Sequence, residues 1–262
     1  MFKLEQIEEI LLEASKIIKD AFYSEKEVNY KEDGTPVTNI DLKTNDFLRE
    51  HLTKLFPNSA WLSEEDSDKL ERLSSEYVWI IDPIDGTKSF INKIPEVSIS
   101  VGLVKNNKPV FGAVVNPIQN QGGMTSLWEG SKIWGFDEIL ETKSEKKKLE
   151  DISVIVSIDE TKDGLLKKFE PYLNLKPVGS VAYKLLRVAC DVDDLYFSLK
   201  PKSEWDVCGG YALLSAKNKI YKRFDNKEIL FNQKDTKILS GTIAGKEYIV
   251  NEFLEKFKHL GL

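Results

Sequence analysis

The chain has 262 residues, 41% of them apolar, which suffices for one large interior or for two halves that share a boundary. A net charge of -6, with 31% charged residues of both signs mixed along the chain, leaves no basic stripe for a nucleic acid polymer and no polybasic membrane anchor. Acidic residues interrupt the apolar pattern of the first twenty positions, so these do not read as a signal peptide; no apolar stretch reaches membrane length, and two cysteines without scaffold spacing fit the cytoplasm.

In chain order, Ile7, Ile10, Leu11, Ala14, Ile17, Ile18, Ala21 and Phe22 recur at three and four residues and predict a long first helix with one core face. After the turn-rich Lys31-Glu32-Asp33-Gly34-Thr35-Pro36, a second helix starts at Thr38 or Asn39 and carries Leu48, Leu52 and Leu55 inward until Pro57 stops it. Asp41 then lies in its first turn. A short strand over 60–63 runs into Glu64-Glu65-Asp66, and an apolar strand over 78–81 runs into a turn at Asp82. Segments 97–104 and 110–115 form a hairpin about Asn106-Asn107, with another strand expected at 125–129. A charged, core-poor stretch between Asp137 and Asp151 divides the chain into halves, 1–140 and 141–262. The second half alternates: a strand over 152–157, a short helix over 164–169, a helix over 181–190, a strand over 195–198, and a helix over 207–216 that begins just after Trp205-Asp206.

The segment Asp82-Pro83-Ile84-Asp85-Gly86-Thr87 concentrates two carboxylates, a hydroxyl and a glycine. A strand that ends in a carboxylate delivers it to the sheet edge, and an Asp three residues on can share a divalent cation with it. The N–H groups of Gly86 and Thr87, opening a helix, would face a phosphate. Phosphate ester hydrolysis needs cations to screen the nucleophile and the departing oxygen, and few other devices are present. His51 and His259 each stand alone in charged, helix-like stretches, and neither Cys190 nor Cys208 has an arginine six residues downstream. Asp191-Val192-Asp193-Asp194-Leu195 follows a helix-like segment, whereas an aspartyl nucleophile follows a buried strand. Taken singly, Glu64, Glu65, Asp82, Asp85 and Asp206 read as solvated surface acids. Their positions at strand ends and a helix start hold them rigidly, and oxygen ligands without histidine point to magnesium, or manganese as its substitute.

Taken in order, Val37-Thr38-Asn39-Ile40-Asp41, Leu62-Ser63-Glu64-Glu65-Asp66, the run from Trp79 through Asp82-Pro83-Ile84-Asp85-Gly86-Thr87-Lys88 to Ile91, Gly179-Ser180 and Trp205-Asp206 resemble the inositol monophosphatase superfamily of magnesium-dependent, lithium-sensitive phosphatases. The likeness covers nearly the whole chain. It implies a layered αβαβα sandwich of the inositol monophosphatase and fructose-1,6-bisphosphatase type, an α+β to α/β fold. An antiparallel sheet is expected in the N-terminal half, a smaller mixed sheet in the C-terminal half, and the active site between them. It further implies one metal held by Glu64, Asp82 and the carbonyl of Ile84, a second held by Asp82, Asp85 and Asp206, and a third, weaker ion near Glu64. Thr87, hydrogen-bonded to Asp41, is expected to orient and help deprotonate the attacking water, with no covalent phosphoenzyme. Thr87 also reads as a plain helix N-cap and Asp41 as a favourable first-turn acid. One departure stands after Leu214, where the family has an Ala-Gly-Gly turn and this chain has Ser215-Ala216-Lys217-Asn218-Lys219.

Within that superfamily the 62–66 and 85–91 segments look most like the 3'(2'),5'-bisphosphate nucleotidases, which carry a lysine after the Gly-Thr pair. The expected substrate is adenosine 3',5'-bisphosphate, converted to AMP and phosphate. Lys88, Lys200 and Lys202 suit a second phosphate, and each also reads as an ordinary surface lysine. Gly86, Thr87, Gly179 and Ser180 complete the expected substrate contacts. Gly179-Ser180-Val181-Ala182 and Asn92-Lys93-Ile94-Pro95 resemble the general inositol phosphatase pattern, so an inositol, histidinol or broad-specificity sugar phosphatase stays open. A reading of another class is an idle metal- or nucleotide-sensing binding protein. The partner is a small phosphorylated substrate, and either a monomer or a homodimer is compatible.

Overall fold

The computed structural model describes residues 1–136 and 147–260, so the expected division at 140/141 lies outside the described residues. The chain opens with α1 (Leu4–Phe22), the hairpin β1 (Val28–Tyr30) and β2 (Pro36–Thr38), and α2 (Asn39–Leu55). Then follow β3 (Ser59–Ser63), β4 (Tyr77–Asp85), the five-residue α3 (Thr87–Ile91), β5 (Ser98–Lys105), β6 (Lys108–Asn116), β7 (Gln121–Ser126) and β8 (Gly130–Trp134). The rest comprises β9 (Val154–Ser157), α4 (Ile158–Lys162), β10 (Leu175–Val178), α5 (Val181–Ala189), β11 (Leu195–Ser198), β12 (Lys202–Ser203), α6 (Glu204–Ala216), β13 (Ile220–Arg223), β14 (Lys237–Ile238), β15 (Thr242–Gly245) and α7 (Glu247–Phe257).

Strands β3 to β8 form a six-stranded sheet in sequence order, antiparallel except for the parallel pair β3–β4. A second, mixed sheet has the order β10-β9-β11-β15-β13. Side chains alternate across each sheet, and that alternation builds the layers. Trp79 and Ile81 of β4 join Ile7, Leu11 and Ile18 of α1 and Leu48 and Leu52 of α2, while Val78 and Ile80 face Leu185 of α5 and Val207 of α6. In the second sheet Ile155, Tyr196 and Ala244 join that same middle cluster, and Val154, Phe197 and Ile243 face Ile249, Val250 and Phe253 of α7. The result is helices, sheet, helices, sheet, helix: the expected αβαβα sandwich, with each fully buried Leu, Ile, Val or Phe contributing roughly 1.5–3 kcal/mol.

Glycines let α6 lie unusually close to the first sheet. A Cβ on Gly209 would stand 2.5 Å from the Ala113 carbonyl oxygen, one on Gly112 2.4 Å from the Ala212 Cβ, and one on Gly102 2.3 Å from the Cys208 Sγ. Both cysteines are free; Cys208 is buried in this contact, and burial pushes the Cys190 thiol up to about 12.

Several elements differ from the sequence reading. Residues 127–129 are the turn between β7 and β8; β7 lies earlier and runs through Gly122 and Gly123, and the absence of a side chain at Gly122 admits the Trp134 ring. The helix expected at 164–169 is a series of turns; the helix lies earlier as α4, capped by the Ser157 hydroxyl and ended near Gly164, whose φ is 71°. The last expected helix starts at Glu204, behind the cap Ser203, so Asp206 sits inside its first turn. After Leu214, Asn218 takes the left-handed position with φ 54°, Asn218 N–H donates to the Ser215 carbonyl and Lys219 N–H to that of Leu214, so an asparagine does the work of the missing glycine.

Candidate active site

Strand β4 does not stop at Ile81 but continues to Asp85 with a bulge: Asp82 lies opposite Ser100 and Asp85 opposite Ser98, three residues of β4 against two of β5. In a regular strand, residues three apart point to opposite faces. The extra residue returns Asp85 to the side of Asp82, and both line one cleft of about 400 Å³ between the two sheets' ends. Gly86, with φ 95°, makes the left-handed step into α3 that a side chain would resist.

Carboxylate oxygens of Glu64, at the end of β3, of Asp82 and of Asp206 all lie within 4.8 Å of one another. Asp82 is buried, and its Oδ1 accepts from Ile84 N–H at 3.0 Å. The Asp206 Oδ2 accepts from Ser203 N–H at 2.7 Å, which fixes it against the start of α6. Asp85 stands beside this trio with Oδ2 already engaged by the Ser180 hydroxyl at 2.6 Å and Ala182 N–H at 2.5 Å. Asp41 is fully buried; its Oδ2 accepts from Thr38 N–H and hydroxyl, and its Oδ1 from the Thr87 hydroxyl at 3.0 Å. The same Thr87 hydroxyl lies 3.1 Å from the Ile84 carbonyl oxygen.

Burial, then the neighbouring charge of Glu64, Asp85 and Asp206, raises the Asp82 carboxyl well above the usual range. Burial followed by Asp85 and Glu64 pushes Asp206 up to about 7. Burial also raises Asp85 and Asp41, opposed by their hydrogen bonds. A divalent cation relieves such crowding, and a hard-oxygen set without histidine or cysteine fits magnesium or manganese.

The remaining expected contacts divide. Gly86, Thr87, Lys88, Gly179, Ser180 and Lys202 line the cleft, whereas Lys200 turns out of it to Asp163, at 2.5 Å. The Ser180 hydroxyl accepts from Tyr183 N–H as the cap of α5 while it serves Asp85, and Gly179 N–H donates to Glu96. Lys202 is buried and donates to the carbonyls of Lys200 and Pro201. Reading the sequence alone missed Lys31, whose ammonium lies 2.9 Å from both Glu64 and Glu65, and the cleft residues Asp159, Lys162 and Lys184. None of the four stands in a motif; Lys31 was passed over as a turn residue.

The devices excluded earlier lie apart from this cleft. His51 stacks on Phe47, Asp193 pairs with Arg187, and Asp194 with Lys147. A larger groove of about 890 Å³ is lined by Trp61, Asp66 and Arg72, but the Asp66 carboxylate already accepts from Trp61 and Asn45, and Arg72 is held by Asp68 and Asn232. No helix among the described residues is long and apolar enough to cross a membrane.

The sequence profile of the inositol monophosphatase family matches residues 3–255. The chain is similar to the 3'(2'),5'-bisphosphate nucleotidase CysQ of Haemophilus influenzae, 31% identical over 90% of this chain and 89% of that protein. It is equally similar to Inositol monophosphatase 3 of Solanum lycopersicum, 31% identical over 80% of this chain and 83% of the other. In fold it is similar to the extragenic suppressor protein suhB of Bartonella henselae, with a TM-score of 0.79 at 21% identity over 99% of each chain.

Proposed function

We propose a substrate class from one premise: the chain belongs to the inositol monophosphatase family and is a metal-dependent phosphoric monoester hydrolase. The substrate is a 3'(2'),5'-bisphosphate nucleotide, and the reaction removes the 3'-phosphate of adenosine 3',5'-bisphosphate to give AMP. The observation that carries this reading is that one cleft is lined by lysine, Lys162 among them, as well as by the acids Glu64, Asp82, Asp85 and Asp206. A single phosphate needs only the acids and the cations they would hold. Glu64, Asp82, Asp85, Asp206 and the Ile84 carbonyl would hold two magnesium ions, with a third at Glu64 and manganese as substitute; when bound, these screen phosphate charge and acidify water.

The protein's own groups do the rest. Thr87 orients the attacking water and takes its proton while passing its own to Asp41, 3.0 Å away. Desolvation of Asp41 favours its accepting that proton, and the bonds from Thr38 hold its second oxygen still. Ser180 and Ala182 hold Asp85 in orientation, and backbone N–H groups at Gly86 and Thr87 meet the phosphate.

A second reading, an inositol, histidinol or broad sugar phosphatase, is favoured by Asp159, an acid in the same cleft suited to accept from sugar hydroxyls. Turnover of adenosine 3',5'-bisphosphate, inositol 1-phosphate, histidinol phosphate and fructose 1,6-bisphosphate with magnesium separates them. The bisphosphate nucleotide is expected to give the highest kcat/KM, and a strong preference for inositol 1-phosphate overturns the assignment.

A further inference from the structure

Helix α4, which follows β9 through the capping Ser157, presents Ile158, Asp159 and Lys162 to the cleft. Residues four apart on a helix stack on one face, so Ile158 and Lys162 form an apolar step with an ammonium beside it. The other lysines near the cleft are engaged. Lys88 lies 2.8 Å from Asp159, and this exposed pair, which joins α3 to α4 across the cleft mouth, is close to neutral. Lys200 is paired with Asp163 outside the lining. The buried Lys184 spends its three N–H donors on the carbonyls of Val178, Gly179 and Ser180. Lys202 donates to two carbonyls and faces Glu160 at 3.7 Å. Lys162 is exposed and has no ion-pair partner among the described residues.

We infer that α4 recognises the leaving group: Lys162 meets the second anionic group of the substrate, and Ile158 contacts the apolar part of the ring system it leaves with. The inference rests on the bisphosphate reading above. It moves the charge contact from the lysines after the Gly-Thr pair and before the Trp-Asp pair to a residue on a different element. Contact between Lys162 and a phosphate costs little, because Lys162 gives up no existing ion pair among the described residues.

The test compares adenosine 3',5'-bisphosphate with adenosine 3'-monophosphate, which share the scissile ester and differ only in the second phosphate. For Lys162→Met, kcat/KM toward the bisphosphate is expected to fall about tenfold, through KM, while the monophosphate changes by less than about twofold. Lys162→Arg is expected to restore the ratio, and the melting temperature to stay unchanged, since the side chain is exposed. Equal losses on both substrates, or no loss on either, overturn the inference. If the wild-type enzyme prefers the bisphosphate and Lys162→Met keeps that preference, the inference alone fails. A wild-type enzyme that turns over both esters equally well refutes the bisphosphate reading and the inference together.

Discussion

Asp41 sits entirely out of solvent with two hydroxyls and a backbone N–H aimed at its oxygens. It is not one of the three acids, Glu64, Asp82 and Asp206, whose oxygens converge within 4.8 Å, so its loss should separate proton transfer from metal binding. Asp41→Asn keeps shape but cannot accept a proton; kcat is expected to fall by roughly 10²–10⁴, with the magnesium dependence little changed. Thr87→Val should behave alike and Thr87→Ser should retain most activity. Steady-state kinetics with a magnesium titration decide it: a shifted magnesium midpoint at normal saturating kcat would reassign the pair to holding metal. At this scale the sequence was most legible where residues stand in one unbroken run, as from Asp82 to Thr87. Asp159 and Lys162 were illegible because a short solvated segment of mixed charge looks the same whether it faces a cleft or open water. Lys31 was illegible because only the hairpin of β1 and β2 carries it over to Glu64.

Elements decide which way such groups point. A continuous apolar run marked β4 as a strand, but the bulge between Asp82 and Asp85 has no apolar signature, and without it the two carboxylates would diverge. The start of α6 was misplaced for a similar reason: Trp205-Asp206 reads as a terminus until the bond from Ser203 N–H to the Asp206 carboxylate places Asp206 inside the turn. Close seating of α6 on β5 and β6 therefore bears directly on where Asp206 stands. Gly209→Ala would push a methyl group to 2.5 Å from the Ala113 carbonyl oxygen, a backbone atom that cannot swing aside. The expected result is a loss of about 1–3 kcal/mol by denaturant unfolding. Because the helix must lift, the extra stability conferred by magnesium should also shrink. Unfolding curves with and without the metal would show it; an unaltered midpoint in both would mean that α6 has room the structure does not show.

Across the whole molecule, α5 and α6 form the one layer that both sheets share, and the cleft lies at its edge, so carboxylates from distant parts of the chain are held together by the packing of the middle layer. That concentration of acid has a thermodynamic signature whose sign can be worked out. An unfolded carboxyl titrates near about 4, whereas in the folded chain Asp206 is pushed up to about 7 and Asp82 is raised well above the usual range. Between these values the folded chain holds protons that the unfolded chain has released. Stability of the metal-free protein must then fall as pH rises through the window from about 4 to about 7, with the full penalty present above it. Asp68, Asp191 and Asp225, held low mainly by Arg72, Lys219 and Arg223 against burial, contribute the opposite sign, but their stabilisation is lost only below about 4. Magnesium needs the ionised carboxylates, so its binding displaces those protons and stabilises more at high pH. Without metal, the melting temperature is therefore expected to be higher near about pH 5.5 than near about pH 8, and saturating magnesium should shrink or reverse the difference. Asp206→Asn, which removes one of the titrating groups, should flatten the metal-free dependence. A metal-free midpoint that climbs between those two pH values would mean the carboxylates are not crowded as the fold arranges them, and the case for a shared cation site would go with it.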